Sequence, residues 1–322
     1  MLNKLLSIAK NTFTETIRQP IYAVILVIVL LTIFISPSLT MYTLDDDNKL
    51  LRELGLSTLF ICGLFIAIFS ASMAVTEEFE TKTIITILSK PIQRPIFIIG
   101  KFLGVTAAVF LAHYICTIAF LMAIRHGVLM TASDSHDMTV LATGGIIVGV
   151  SILLTAFLNY SYDWKFSSTA IVSTAVLATL GLIFLLLIDR QWKFNPANNA
   201  IALFDIYASI LVLIAVIVLV ALAIMFSTRF NIVLTLISCV SVFLLGLISD
   251  YAFGRFVQSH IWAKIGRAVV PNLQVFWISD AIYEETGRVS MDYIITSASY
   301  GLCYAAAALL VAIALFQGRE AS

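Results

Sequence analysis

Eight stretches of about 20 residues each run almost without a charge, near 21–41, 57–75, 96–124, 139–159, 167–188, 205–226, 229–249 and 293–316. A hydrocarbon core about 30 Å thick needs that length of helix. Inside it every backbone N–H and C=O has to be bonded within the protein, which leaves helices or a closed barrel. The runs are continuously apolar rather than alternating, and that selects helices. The expected fold is therefore all-α and polytopic, one transmembrane domain over 1–322 with about eight transmembrane helices. Composition agrees: 61% of the 322 residues are hydrophobic and 12% charged, against about 45–50% and 25% in soluble domains.

The remaining segments give the chain its organisation. Residues 1–20 read as an interfacial amphipathic helix. Leu2, Leu5, Leu6, Ala9, Phe13 and Ile17 recur near helical spacing, with Lys4, Asn11, Thr14, Glu15 and Arg18 between them. Pro20 then redirects the chain into the first span. No small-x-small cleavage site follows that span, so it is read as a retained anchor. Residues 42–56 form a short connection, acidic at Asp45, Asp46 and Asp47, and 125–138 form a polar one. "STRFN" (Ser227–Asn231) is a tight turn. The long 250–292 connection holds Trp262, Phe276, Trp277 and Tyr283, an aromatic belt on short interfacial helices or, more sharply, a lateral gate for an amphiphile.

Charge sets the orientation. With the N-terminus inside, Lys4, Lys10, Arg18, Lys82, Lys90, Arg94, Lys101, Lys165, Arg229 and Arg319 are inner and the other nine of the 19 Lys and Arg are outer. Four of those nine lie in the long 250–292 connection, whereas the inner ones crowd the span ends. The positive-inside rule weights short loops, and it favours N-in, C-in in the cell inner membrane. The formal net charge is zero, so no nucleic-acid partner is expected.

Several chemistries are excluded or disfavoured. No G-x-x-x-x-G-K-[ST] loop occurs; "IIGKFLG" has a Gly-Lys pair at the start of a membrane helix but lacks the earlier glycine and the following hydroxyl. Cys62, Cys116, Cys239 and Cys303 lie inside apolar runs and read as buried structural thiols. "DSHD" (Asp134–Asp137), with His126 upstream, contains metal-ligand types, but such residues in a short polar loop ordinarily face water. No metal and no catalytic residue is expected. His113 is ionisable and deep in a span. It reads either as a pathway residue or, more plainly, as a neutral imidazole bonded to a neighbouring helix.

The segment from Glu77 to Gly104, "EEFETKTIITILSKPIQRPIFIIGKFLG", is unlike the rest. Glu78 and Lys82 form a favourable i,i+4 pair. Phe79, Thr83, Ile84, Ile87 and Leu88 share one face. Pro91 should stop the helix near Ser89, and Pro95 permits a new start that leads into the third span, with Lys101 snorkelling back. Periodicity alone leaves two readings, a solvated loop with an incidental amphipathic turn and a surface helix that docks into a cytoplasmic partner. A plain connection needs only a few residues and no apolar stripe, which favours docking.

"T-x-T-x-x-x-x-L-S-K-P-I-x-R-x-x-F-x-x-G-K-x-x-G", preceded by acidic residues, resembles the corresponding segment of ABC-2-type transporter permeases, and is similar to those of the multi-copper enzyme maturation and gliding-motility type. "TFTETIRQPIY" (Thr12–Tyr22) resembles their N-terminal entry, and "VVPNLQVFWISDAI" (Val269–Ile282) their outer segment before the last span. The resemblance implies a coupling helix within 76–91, with Glu77, Glu78, Phe79, Glu80, Thr81, Lys82, Thr83, Leu88, Ser89, Lys90, Pro91 and Arg94 meeting a separately encoded cytoplasmic ABC ATPase that binds the ATP. It implies a homodimer or paired permease. It also implies a six-span core, the surplus hairpin lying between 139 and 226. Pathway or gate candidates are His113, Pro271, Asn272 and Trp277. The other reading is a membrane scaffold that anchors a cytoplasmic complex without transport.

Overall fold

The computed structural model describes residues 2–40, 47–80, 93–129, 135–196, 199, 201–257, 259–278 and 289–317. Among them the chain is helical throughout, apart from short turns and one isolated bridge, Ile188 to Phe194. The helices are α1 (Leu2–Arg18), α2 (Pro20–Thr40), α3 (Asp47–Glu80), α4 (Arg94–His126), α5 (Met138–Tyr162), α6 (Phe166–Leu187), α7 (Leu203–Ser227), α8 (Ile232–Leu247), α9 (Ser249–Ala252), α10 (Ile261–Val269) and α11 (Met291–Gln317). Pro20 opens α2 after a single non-helical residue, as its lack of an N–H favours.

Seven of these helices, α2–α7 and α11, are long and apolar enough to cross a membrane. The run at 229–249 makes the eighth span if the bent pair that it forms counts as one crossing. It folds as a 16-residue helix, about 24 Å long, and then bends by 67° into Ser249–Phe256. Beside the bend the Gly246 carbonyl accepts the Leu273 N–H at 3.2 Å, and residues 271–273 are seated against the end of α8. The 42–56 connection differs from expectation, because α3 begins already at Asp47. Leu51 and Leu56 are buried there, and Arg52 is paired.

The chain divides into two compact units. The first comprises Met1–Thr16, Leu64–Ala107 and Ile210–Ser322, the second Ile17–Gly63 and Ala108–Ser209. In the second, α5 and α6 form a hairpin joined by small hydroxyls: Ser151 Oγ meets Ser173 Oγ at 3.0 Å and Thr174 Oγ1 at 2.7 Å, and Thr155 Oγ1 meets Ser173 Oγ at 3.2 Å. Such contacts replace the hydrophobic drive that lipid removes. Ile147 and Ala178 complete the hairpin core with Ile118 of α4, and the Tyr22 hydroxyl ties α2 to the Ala108 carbonyl at 2.8 Å.

In the first unit, α11 buries a stripe at Ile294, Ser297, Gly301, Ala305, Ala308, Ala312 and Phe316. Cys303 falls off that stripe and is exposed, unlike Cys62, Cys116 and Cys239, which are buried. Phe276 is no belt residue either. Its ring is buried against Gly301 and Tyr300, while Trp262 on α10 is exposed.

Candidate functional site

Four helix ends of the first unit, those of α3, α7 and α11 and the start of α4, lie near the start of the charged segment. The helix of span two continues without a break from its apolar body through Val75 to Glu80. Near that end Ser72 Oγ lies 3.4 Å from Ser227 Oγ, at the last residue of α7. The chain is described again from Gln93, whose carbonyl accepts the N–H groups of Ile96 and Phe97 and so opens α4, with Pro95 in its first turn. Arg94 donates to the Gln317 carbonyl at 2.6 Å, and Arg229 to that of Leu315 at 2.8 Å. Both guanidinium groups thus serve the negative end of α11, whose last carbonyls have no intrahelical partner.

The N-terminal helix is seated at the same place. A Cβ on Gly104 would lie 2.6 Å from the Ala9 carbonyl oxygen and from Thr12 Cβ; one on Gly100 would lie 2.7 Å from Ile8. Gly100-x-x-x-Gly104 is therefore the notch into which α1 fits. This accounts for the Gly-Lys pair that superficially suggests a phosphate loop. Lys101 is buried rather than snorkelling, with its ammonium 5.5 Å from the centroid of the Phe97 ring, itself stacked on Phe316.

Of the residues assigned to coupling, Glu77, Glu78, Phe79 and Glu80 lie in α3 and Arg94 opens α4. Thr81, Lys82, Thr83, Leu88, Ser89, Lys90 and Pro91 lie outside the described residues, as do the expected stop near Ser89 and Tyr283 of the aromatic set.

Pro271, Asn272 and Trp277 all lie on the non-α strip that follows α10. Pro271, Leu273, Phe276 and Ile278 are buried. The Asn272 N–H donates to the Tyr300 hydroxyl at 2.9 Å, and its side-chain amide to Asp250 at 2.8 Å. Tyr293 and Tyr304 donate to the Val275 and Val269 carbonyls. Three tyrosines of α11 thereby bind this strip along its length.

His113 belongs to the second unit. Its Nε2 lies 3.0 Å from both the carbonyl and the hydroxyl oxygen of Ser209, which Thr117 also reaches at 2.7 Å. That is the plainer of the two readings, an imidazole fastened to a neighbouring helix.

A charge cluster that the sequence showed only as loop-flanking residues closes the second unit. Arg125, in the last turn of α4, donates to the Leu185 and Ile188 carbonyls at the end of α6. Arg190, just past α6, donates to the Arg125 and His126 carbonyls at the end of α4. Between them Asp137 caps α5, accepting from the Thr139 and Val140 N–H groups, and lies 3.6 Å from Arg125 and 3.3 Å from Arg190. Burial pushes its carboxyl up, but the Thr139 and Val140 bonds and the two guanidinium charges outweigh that and hold it below the usual carboxylate range. Each charge thus faces the helix end of opposite sign. A second pair, Arg52 Nε to Asp205 Oδ1 at 2.8 Å, joins α3 to the first turn of α7. A cavity of about 480 Å³ lies between the two groups, lined by Arg52, Arg125, Asp189, Arg190 and Asp205 together with Leu121, Leu182 and Leu185. The available signals were Asp137 immediately before an apolar run and arginines immediately after two others.

The long apolar helices, with span two leading directly into a charged segment, are those of a multi-pass membrane protein. Residues 6–161 match the family model of the ABC-2 family transporter protein. The match covers a little under half of the chain, from α1 through α5, and supports an ABC-2-type permease, the membrane component of a transporter. It contains the N-terminal entry and the Glu77–Gly104 segment, and it takes in α5, the first helix of the expected surplus hairpin; the Val269–Ile282 strip lies beyond it. No curated protein matches the chain.

Proposed function

We propose that this chain is the membrane subunit of an ATP-driven transporter whose ATPase is a separate cytoplasmic protein. That partner grips the segment 77–89 and drives substrate export or equivalent conformational work across the membrane. The observation that carries this is the continuity of α3. Its 34 residues extend about 51 Å at 1.5 Å per residue, well beyond an apolar core of about 30 Å. A force applied at its charged end therefore acts on the buried body of the same rod.

The surroundings support the reading. α1, the start of α4, the end of α7 and the end of α11 meet in the unit that also holds the end of α3. That juxtaposition favours both termini on one side, with the bent α8–α9 pair counting as a crossing, and the basic residues there favour the inner face of the cytoplasmic membrane. Two copies pair around a pathway, each with its own ATPase. Nucleotide-driven closure then shifts the pair between two states, which requires the ATPase to prefer one of them.

Glu78→Arg combined with Phe79→Asp tests the reading directly. The paired change should abolish co-purification of the ATPase and its stimulation by the permease, while the protein stays folded. Undiminished co-purification and stimulation would show that the segment is not the point of contact.

A further inference from the structure

We propose that His126 and His136 form a two-imidazole site for one borderline divalent transition-metal ion of the zinc class. The two rings come from different elements. His126 is the last residue of α4, and His136 immediately precedes the Asp137 cap of α5. The fold brings His136 Nδ1 to 3.3 Å from His126 Nε2, with ring centroids 5.4 Å apart and planes tilted by 42°.

Three features make this a ligand arrangement rather than a chance meeting. The first is the tautomer. His126 Nδ1 lies 2.9 Å from the Gly127 carbonyl oxygen. A carbonyl only accepts, so Nδ1 carries the proton and the neutral ring presents its Nε2 lone pair to His136. A backbone carbonyl holding the other ring nitrogen is the usual support behind a metal-binding histidine. The second is how that carbonyl is placed. Gly127 has φ +70° and its N–H closes onto the Ala123 carbonyl. The left-handed conformation turns the chain back at the end of α4, and glycine adopts it without penalty.

The third is distance. Tetrahedral zinc with bonds of about 2.0–2.1 Å to nitrogen separates two ligand nitrogens by about 3.3–3.4 Å. The observed separation is that edge. The same distance also allows a weak hydrogen bond from a protonated His136 Nδ1 to His126 Nε2, and that alternative is what the experiment has to displace.

The donor set fixes the class of ion. Imidazole nitrogen suits zinc, copper and nickel, whereas calcium and magnesium need clustered oxygens. Among the described residues no third His, Cys, Asp or Glu completes a group with these two. The protein thus supplies one edge of the tetrahedron and leaves the other positions to solvent or an external ligand. His136 is exposed and His126 half-buried, so an ion reaches the pair directly. The neighbouring cation does not compete: Arg190 binds the His126 carbonyl rather than its ring, and it is paired with the buried Asp137.

Full-length protein, made without a polyhistidine tag and stripped by a chelator, is titrated with Zn²⁺ against a chromophoric competitor in detergent. One zinc per chain is expected. His126→Gln and His136→Gln should each weaken binding by more than the about 10–100-fold that losing an outer-shell partner costs. The other two histidines are His113, held by Ser209, and the exposed His260 beside Ser259. His260→Gln should therefore bind as the wild type does. Zinc should also raise the unfolding midpoint of the wild type and not that of His136→Gln, which separates loss of a ligand from loss of fold. If the wild type takes up no zinc, or if either variant keeps it, the pair is a hydrogen bond and the proposal fails.

Discussion

Replacing Asp137 dissects the cluster at the ends of α4, α5 and α6. Its side chain is fully buried, whereas Arg125 and Arg190 retain 18% and 56% of their exposure. Asp137→Asn keeps an oxygen for the Thr139 and Val140 N–H groups but removes the charge between two guanidinium groups. Breaking a fully buried ion pair costs about 3–5 kcal/mol, and an exposed pair is worth about 0–1 kcal/mol. Arg190 belongs to the second class. Arg125 lies nearer the first, but it still holds the Leu185 and Ile188 carbonyls and Thr139 after the change, which lowers its share. The expected loss for Asn is therefore about 2–3 kcal/mol. Asp137→Ala also removes the helix cap, worth about 1 kcal/mol, and should fall about 3–4 kcal/mol below the wild type. Arg190→Gln should cost no more than about 1 kcal/mol. Unfolding in mixed micelles, followed by the fluorescence of the four tryptophans, measures all three. An Asn variant within about 0.5 kcal/mol of the wild type, or an Ala variant no worse than Asn, would refute the account of this cluster.

Two further outcomes follow from the first unit. Gly104→Leu cannot be absorbed by a flexible side chain, because the nearest atom is the Ala9 carbonyl oxygen. It should cost about 1–3 kcal/mol as overpacking and expose α1 to protease, so an unchanged digestion pattern would count against the notch. Arg94→Gln and Arg229→Gln should each loosen the end of α11 by about 0.3–1 kcal/mol, read as faster amide exchange near Leu315 and Gln317; no change in exchange would mean that these donors do not hold that end.

Most of the membrane helices were legible because their signal is local: about 20 apolar residues suffice to specify one. α2, α4, α5, α6, α7 and α11 lie within a few residues of the runs read from the sequence. What the local signal did not carry involved partners distant in sequence. Residues 229–249 are as apolar as any span, and nothing in them announces that Leu273 will bind the Gly246 carbonyl. Residues 42–56 read as a short connection because of Asp45, Asp46 and Asp47; the helix that starts at Asp47 pairs its Arg52 with Asp205, 153 residues later. The charge cluster was visible only as separate residues near span ends. Asp137 could have been recognised as a cap by position, but not as the counter-charge to arginines on two other segments. His126 and His136 were both noted as ligand types, and the glycine turn that aims one at the other was not.

The seat of α1 bears on how the protein is made. Residues 5–12 leave the ribosome some 90 residues before the glycines that receive them at 100 and 104. At translation speeds of about 5–20 residues per second, that interval is roughly 5–20 s. Throughout it, two spans are inserted while the amphipathic N-terminal helix has only the membrane surface to lie on. The N-terminal helix thus begins as a peripheral element of an already inserted chain and gains its packed seat only when the third span arrives. Fusion partners placed before Leu2 would burden that late docking step rather than the insertion of the first span.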